Sequence, residues 1–136
     1  MNRRLAFLRR RPAPLIAAAN DRLAFLQHEF AFERTDEAAI NAGDRHPDIE
    51  SEADTLLMWH RGDEIFKLTR TAVPFRGEAI SLDWFPAVMP KARYSATGFP
   101  AASTFKSYDR ELKRMVDSLL PDLKTSYGFW RASHVA

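Results

Sequence analysis

Bases set beside aromatic rings are the residues of this chain best suited to chemistry. Lys91-Ala92-Arg93-Tyr94 is one such run, and Lys124 to Arg131 is another, with Tyr127, Phe129 and Trp130 between its two charges. Guanidinium and ammonium groups neutralise phosphates, and flat rings stack on unpaired bases, so a surface carrying both suits a nucleic acid or another anionic partner. Five more arginines, Arg3, Arg4, Arg9, Arg10 and Arg11, form a basic arm over residues 1–11. The expected anion-binding set is therefore Arg3, Arg4, Arg9, Arg10, Arg11, Lys91, Arg93, Tyr94, Tyr127, Trp130 and Arg131. A plainer account stands beside it: the arm pairs with the chain's own acids, residues 125–136 dock on the fold as a tail, and the loop charges are only solvated.

The opposite charge is gathered in one stretch. Asp44, His46, Asp48, Glu50, Glu52 and Asp54 fall at every second position. Such a row offers oxygen ligands to calcium or magnesium, but the EF-hand pattern fails, with Ile49 where the turn glycine is needed and Thr55 where the bidentate glutamate belongs. The segment 44–54 reads as a solvated acidic loop. Its alternative role is an interaction segment in which Asp48, Glu50, Glu52 and Asp54 occupy a basic partner. The sorting runs along the whole chain: residues 1–32 balance at +4, residues 33–64 at −7 and residues 65–136 at +5, within a net charge of +2. Blocks of this kind attract one another inside a fold or face separate partners.

Other chemistry has less to stand on. There is no cysteine, which excludes disulfides, thiol catalysis and Cys-ligated zinc or iron–sulfur sites. The histidines (His28, His46, His60 and His134) are scattered, without helical i, i+4 spacing or an HExxH motif. No Gly-x-Ser-x-Gly occurs, and the five glycines stand too far apart to cradle a phosphate. No catalytic residue, cofactor or metal is expected. Arg61-Gly62-Asp63 reads as a hairpin turn. An enzyme or ligand pocket between sheet and helices, using His60, Asp83 or Tyr94, is the least favoured reading.

The bulk composition, 46% hydrophobic with 12% aromatic over 136 residues, suits one globular domain spanning 1–136. No apolar run is long enough to span a bilayer. Met1 to Asn20 loosely imitates a targeting leader, but Arg9, Arg10 and Arg11 interrupt its apolar stretch. The cysteine-free composition fits a reducing compartment, and the cytoplasm is the expected location.

These side chains need elements to hold them. Ile16, Ala19, Leu23, Leu26 and Phe30 alternate by three and four, predicting a helix over about 14–30 with Pro14 in its first turn. Asp36 to Ala42 reads as a short helix ended by Gly43. Thr55–His60, Glu64–Val73 and Ala79–Phe85 read as three strands of an antiparallel meander over 55–85 with one apolar face. Residues 86–103 form a long loop, or hide a further strand around Ala92–Ala96. Tyr108, Leu112, Met115, Val116, Leu119 and Leu120 share a face, predicting a helix over about 104–120, capped by Ser107 and stopped by Pro121.

The expected fold is α+β: an antiparallel sheet of three to five strands with both helices packed on one face. Its expected core holds Leu23, Leu26, Phe66, Leu68, Ile80, Leu82, Trp84, Leu112, Val116 and Leu119. The expected function is that of a small accessory protein, not an enzyme, docking an anionic partner, a nucleic acid or an acidic protein surface, through its basic and aromatic segments.

Overall fold

Antiparallel pairing carries the sheet beyond the 55–85 meander on both sides. The computed structural model describes residues 13–35, 53–73, 77–85 and 94–134. Within them the chain forms helix α1 (Ala13–Arg22), helix α2 (Phe25–His28), strands β1 (Glu33–Arg34), β2 (Ala53–Arg61), β3 (Glu64–Val73), β4 (Gly77–Phe85) and β5 (Tyr94–Gly98), and helix α3 (Phe105–His134). The strands pair antiparallel in the order β1-β2-β3-β4-β5, and the fold is α+β. The fifth strand lies at 94–98, within the 86–103 stretch and overlapping the further strand expected around Ala92–Ala96 as the alternative to a long loop. The 1–11 arm, the 36–42 helix, residues 44–52 of the acidic stretch, Lys91 and Arg93 lie outside the described residues.

One face of the sheet is apolar and joins the helices in a single cluster. Leu57 and Trp59 of β2, Phe66 and Leu68 of β3, and Ile80, Leu82 and Trp84 of β4 lie in it with Leu112, Met115 and Leu119 of α3. Phe66 stands opposite Trp84 in register, and their rings stack at 5.4 Å. Phe32 meets Phe66 edge-on at 5.1 Å. A bulge between Thr55 and Leu57 buries both Leu56 and Leu57, which strict alternation would place on opposite faces. All ten expected core residues are buried.

Arg61–Glu64 is a hairpin with a two-residue turn, and Gly62 takes the positive φ of +59° at its first central position. At the other edge α3 runs close over β5. A Cβ built on Gly98 would lie 2.7 Å from Glu111 Oε2 and 2.8 Å from Met115 Cε. No described helix is long and apolar enough to cross a membrane.

The helices differ from their expected spans. The 14–30 helix is broken at Leu23–Ala24, where Leu26 and Gln27 donate to carbonyls only three residues back, the tighter 3₁₀ pattern. Its buried face is Leu15, Ala18, Ala19, Leu23 and Leu26, with Ile16 half-buried. Thr104, not Ser107, caps α3: the Ser107 backbone N–H donates to Thr104 Oγ1 at 3.3 Å.

Pro121 does not stop α3, which continues to His134. A proline inside a helix costs about 3 kcal/mol through its missing N–H and ring clash. Beyond it, however, Leu123 is fully buried and Tyr127 packs edge-on against Phe30 at 5.5 Å. Burying one leucine contributes about 1.5–3 kcal/mol, and an aromatic pair adds about 0.5–1.5 kcal/mol. The two together contribute about 2–4.5 kcal/mol, comparable to the cost, so packing carries the helix through the proline.

Candidate functional site

The uninterrupted α3 gathers charges that a break at residue 121 would separate. Lys106, Arg110, Lys113, Lys124 and Arg131 are all exposed. At 3.6 residues per turn they fall within an arc of about 60°, on the side away from the buried Tyr108, Leu112, Met115 and Leu119. The row spans roughly 38 Å at 1.5 Å per residue. Asp117 is the one acid within it.

The neighbouring acids of α3 are engaged by arginines outside the row. Arg22 of α1 grips Asp109 through two hydrogen bonds, at 2.6 and 2.8 Å. This bidentate contact holds the Asp109 carboxyl below its ordinary pKa and raises that of Arg22. Arg114 pairs with Glu111 at 3.0 Å and also donates to the Thr97 carbonyl oxygen of β5 at 3.2 Å. Two of the four acids of α3 thus have an arginine outside the row as their hydrogen-bonded partner, with Lys113 adding a smaller electrostatic pull on Asp109.

Two rings stand at the start of this helix. Phe99 is 55% exposed and Phe105 is 43% exposed, the large exposed hydrophobic residues among those described. The link between them is anchored. Pro100 is buried, Ser103 Oγ donates to Glu78 Oε1 at 3.1 Å, and Thr104 caps the helix.

The expected site residues have separate fates. Arg131 belongs to the exposed row on α3, and Trp130 lies in the last turns of the same helix. Tyr94 donates its hydroxyl to the Met115 carbonyl at 2.7 Å, and burial raises its pKa. Tyr127 is half-buried against Phe30, with the Arg61 guanidinium 5.8 Å from its ring centre. Both tyrosines hold the helix layer to the sheet instead of standing free to stack on a ligand. Arg3, Arg4, Arg9, Arg10, Arg11, Lys91, Arg93, Asp48, Glu50 and Glu52 lie outside the described residues. Asp54 belongs to β2, not to a loop, and stands opposite Arg70 in register.

His60, Asp83 and Tyr94 do not converge. His60 and Asp83 alternate with the buried Trp59, Leu82 and Trp84, so both point to the outer face. There His60 Nδ1 lies 3.1 Å from Thr35 Oγ1, and Asp83 accepts from Ser95 Oγ at 2.5 Å. Tyr94, paired with Trp84, is on the inner face, and the sheet separates it from the other two.

The buried polar groups close the two ends of the core. At one end Arg61 donates to Glu64 at 2.7 Å, to the Phe30 carbonyl at 2.9 Å and to Ser126 Oγ at 3.2 Å, with its guanidinium 4.4 Å from the centre of the Phe32 ring. At the other end Arg70 donates to Glu78 at 2.5 Å, and Glu78 also accepts from Ser103 and from the Tyr108 hydroxyl. Burial, and then the hydrogen bond to Glu78, push the Tyr108 hydroxyl up to about 12. A phenol held there keeps its proton at neutral pH and acts as a structural donor. No group of three or more His, Asp or Glu among the described residues is arranged to hold a metal ion.

Comparison with known protein families, with curated proteins and with solved structures found no match.

The row on α3 is the feature that reading by sequence missed. Its signal was present as bases at 106, 110, 113, 124 and 131, which share one helical phase. Placing a helix end at Pro121 hid that phase by assigning the last two bases to a separate tail.

Proposed function

We propose that this protein is a non-enzymatic accessory protein that works by binding, docking an anionic macromolecule on the basic face of α3. One observation carries the reading: five exposed bases lie in a single row on one packed helix, while Arg22 and Arg114 occupy the adjacent acids. A rigid row brings several cations to a polyanion without ordering each one separately, so counterion release favours association. Arg3, Arg4, Arg9, Arg10 and Arg11, with Lys91 and Arg93, would add charge against the same partner. A cytoplasmic setting belongs to this reading.

The test is retention of the full chain on immobilised heparin, a sequence-free polyanion. The variant Arg110→Glu, Lys113→Glu, Lys124→Glu changes only exposed positions and is expected to keep its circular dichroism while eluting at clearly lower salt. Unchanged elution overturns the reading. Neutralising Asp48, Glu50, Glu52 and Asp54 to their amides should not weaken retention. If heparin is not retained, and those amides abolish capture on polylysine, the acidic segment is the interface and the partner is basic.

A further inference from the structure

We infer that the anionic partner is a single-stranded nucleic acid, its phosphates lying along the basic row of α3 and its bases stacking on Phe99 and Phe105. The inference rests on the proposed function and adds the chemical class of the ligand. A row of bases alone attracts any polyanion; the rings discriminate. Phe99 and Phe105 are 55% and 43% exposed, on a link held by the buried Pro100 and by the Ser103–Glu78 hydrogen bond. Lys106, the first base of the row, follows Phe105 in the first turn of α3, about 100° round the helix axis, so the rings stand to one side of the row at its start.

This is the pairing that single strands exploit, a charged track for the backbone with aromatic platforms for successive bases. Phenylalanine carries no polar group to read base edges, so recognition through these rings tolerates any sequence. A duplex keeps its bases stacked inside and would use only the charges. An acidic protein surface offers no regular series of π-faces beside its charges. Neither accounts for two rings left in water at the head of a cationic row.

Fluorescence anisotropy of the full chain with labelled oligothymidylate of roughly 15 nucleotides, within the range that single-strand binders cover, tests the inference. A mixed-sequence duplex of the same length serves as the comparison. The single strand is expected to bind more tightly than the duplex. Phe99→Ala combined with Phe105→Ala should weaken single-strand binding by roughly ten- to a hundredfold. Heparin elution of that variant should stay unchanged, and Phe99→Tyr with Phe105→Tyr should restore binding. Both rings are exposed, so the alanine pair is expected to fold, and circular dichroism checks it. Equal affinity for duplex and single strand, with no effect of the alanine pair, overturns the inference. Retention on heparin without oligonucleotide binding also overturns it and leaves the proposed function standing. Binding to neither probe overturns both.

Discussion

Glu78 shows how a charged residue serves a core. It is buried on β4 with Arg70, Ser103 and Tyr108 all donating to it, joining two strands and the entry to α3. Removing Glu78 takes a close charge partner from the buried Arg70 and the acceptor from Ser103 and Tyr108. Glu78→Ala is therefore expected to cost about 3–5 kcal/mol in urea unfolding, far more than an exposed substitution such as Lys113→Ala. Tyr108 adds a pH signature. Its hydroxyl loses its proton near 10 in the unfolded chain but only near about 12 when folded. Its contribution is complete below pH 10 and drains away as pH rises toward 12, because unfolding then releases a proton. Tyr108→Phe should be less stable at neutral pH by about 1–3 kcal/mol, yet lose stability less steeply across that alkaline window. Denaturant midpoints from pH 8 to 12 measure both effects.

The longest element, α3, sets local propensity against packing. Pro121 and Gly128 both disfavour a helix, but Leu123, Ser126 and Tyr127 continue the inward face begun by Tyr108 and Leu112. Pro121 is exposed, so Pro121→Ala restores an N–H to the Asp117 carbonyl without disturbing the core. It is expected to stabilise the protein by about 1–3 kcal/mol in thermal unfolding and to leave polyanion binding intact. A destabilised variant would mean that the proline ring fits a bend the helix needs. The strands were legible because alternation is a local signal: Phe66, Leu68, Ile80, Leu82 and Trp84 announce their buried face in sequence. β1 was legible only as the alternation of His28–Arg34, with Phe30 and Phe32 on one side, because its two paired residues, Glu33 and Arg34, are too few to show a period and both are exposed. β5 showed only faintly, since Tyr94, Ala96 and Gly98 present small or polar residues to α3, which approaches closely there.

At the scale of the whole molecule, the contact between Arg22 and Asp109 ties the first helix to the last across 87 positions of sequence. Folding lowers the affinity of Asp109 for its proton, so the contribution is complete above the ordinary carboxylate value and is lost as pH falls through the depressed one. Arg22→Gln should flatten the loss of stability as pH falls below the ordinary carboxylate range, read as urea midpoints. An unchanged slope would show that the contact does not couple the helices.

The sequence by itself determined the α+β class, the antiparallel meander, the core residues and the exclusion of thiol chemistry, because periodicity and composition act over a few neighbouring residues. The tertiary structure alone decided that α3 outruns its proline, that Tyr94 and Tyr127 serve the core, and that five distant bases share one row. Each outcome is a balance between a local cost and a burial gained from a partner far along the chain. Such a partner leaves no trace in the neighbouring sequence, so only the packed molecule shows which side wins.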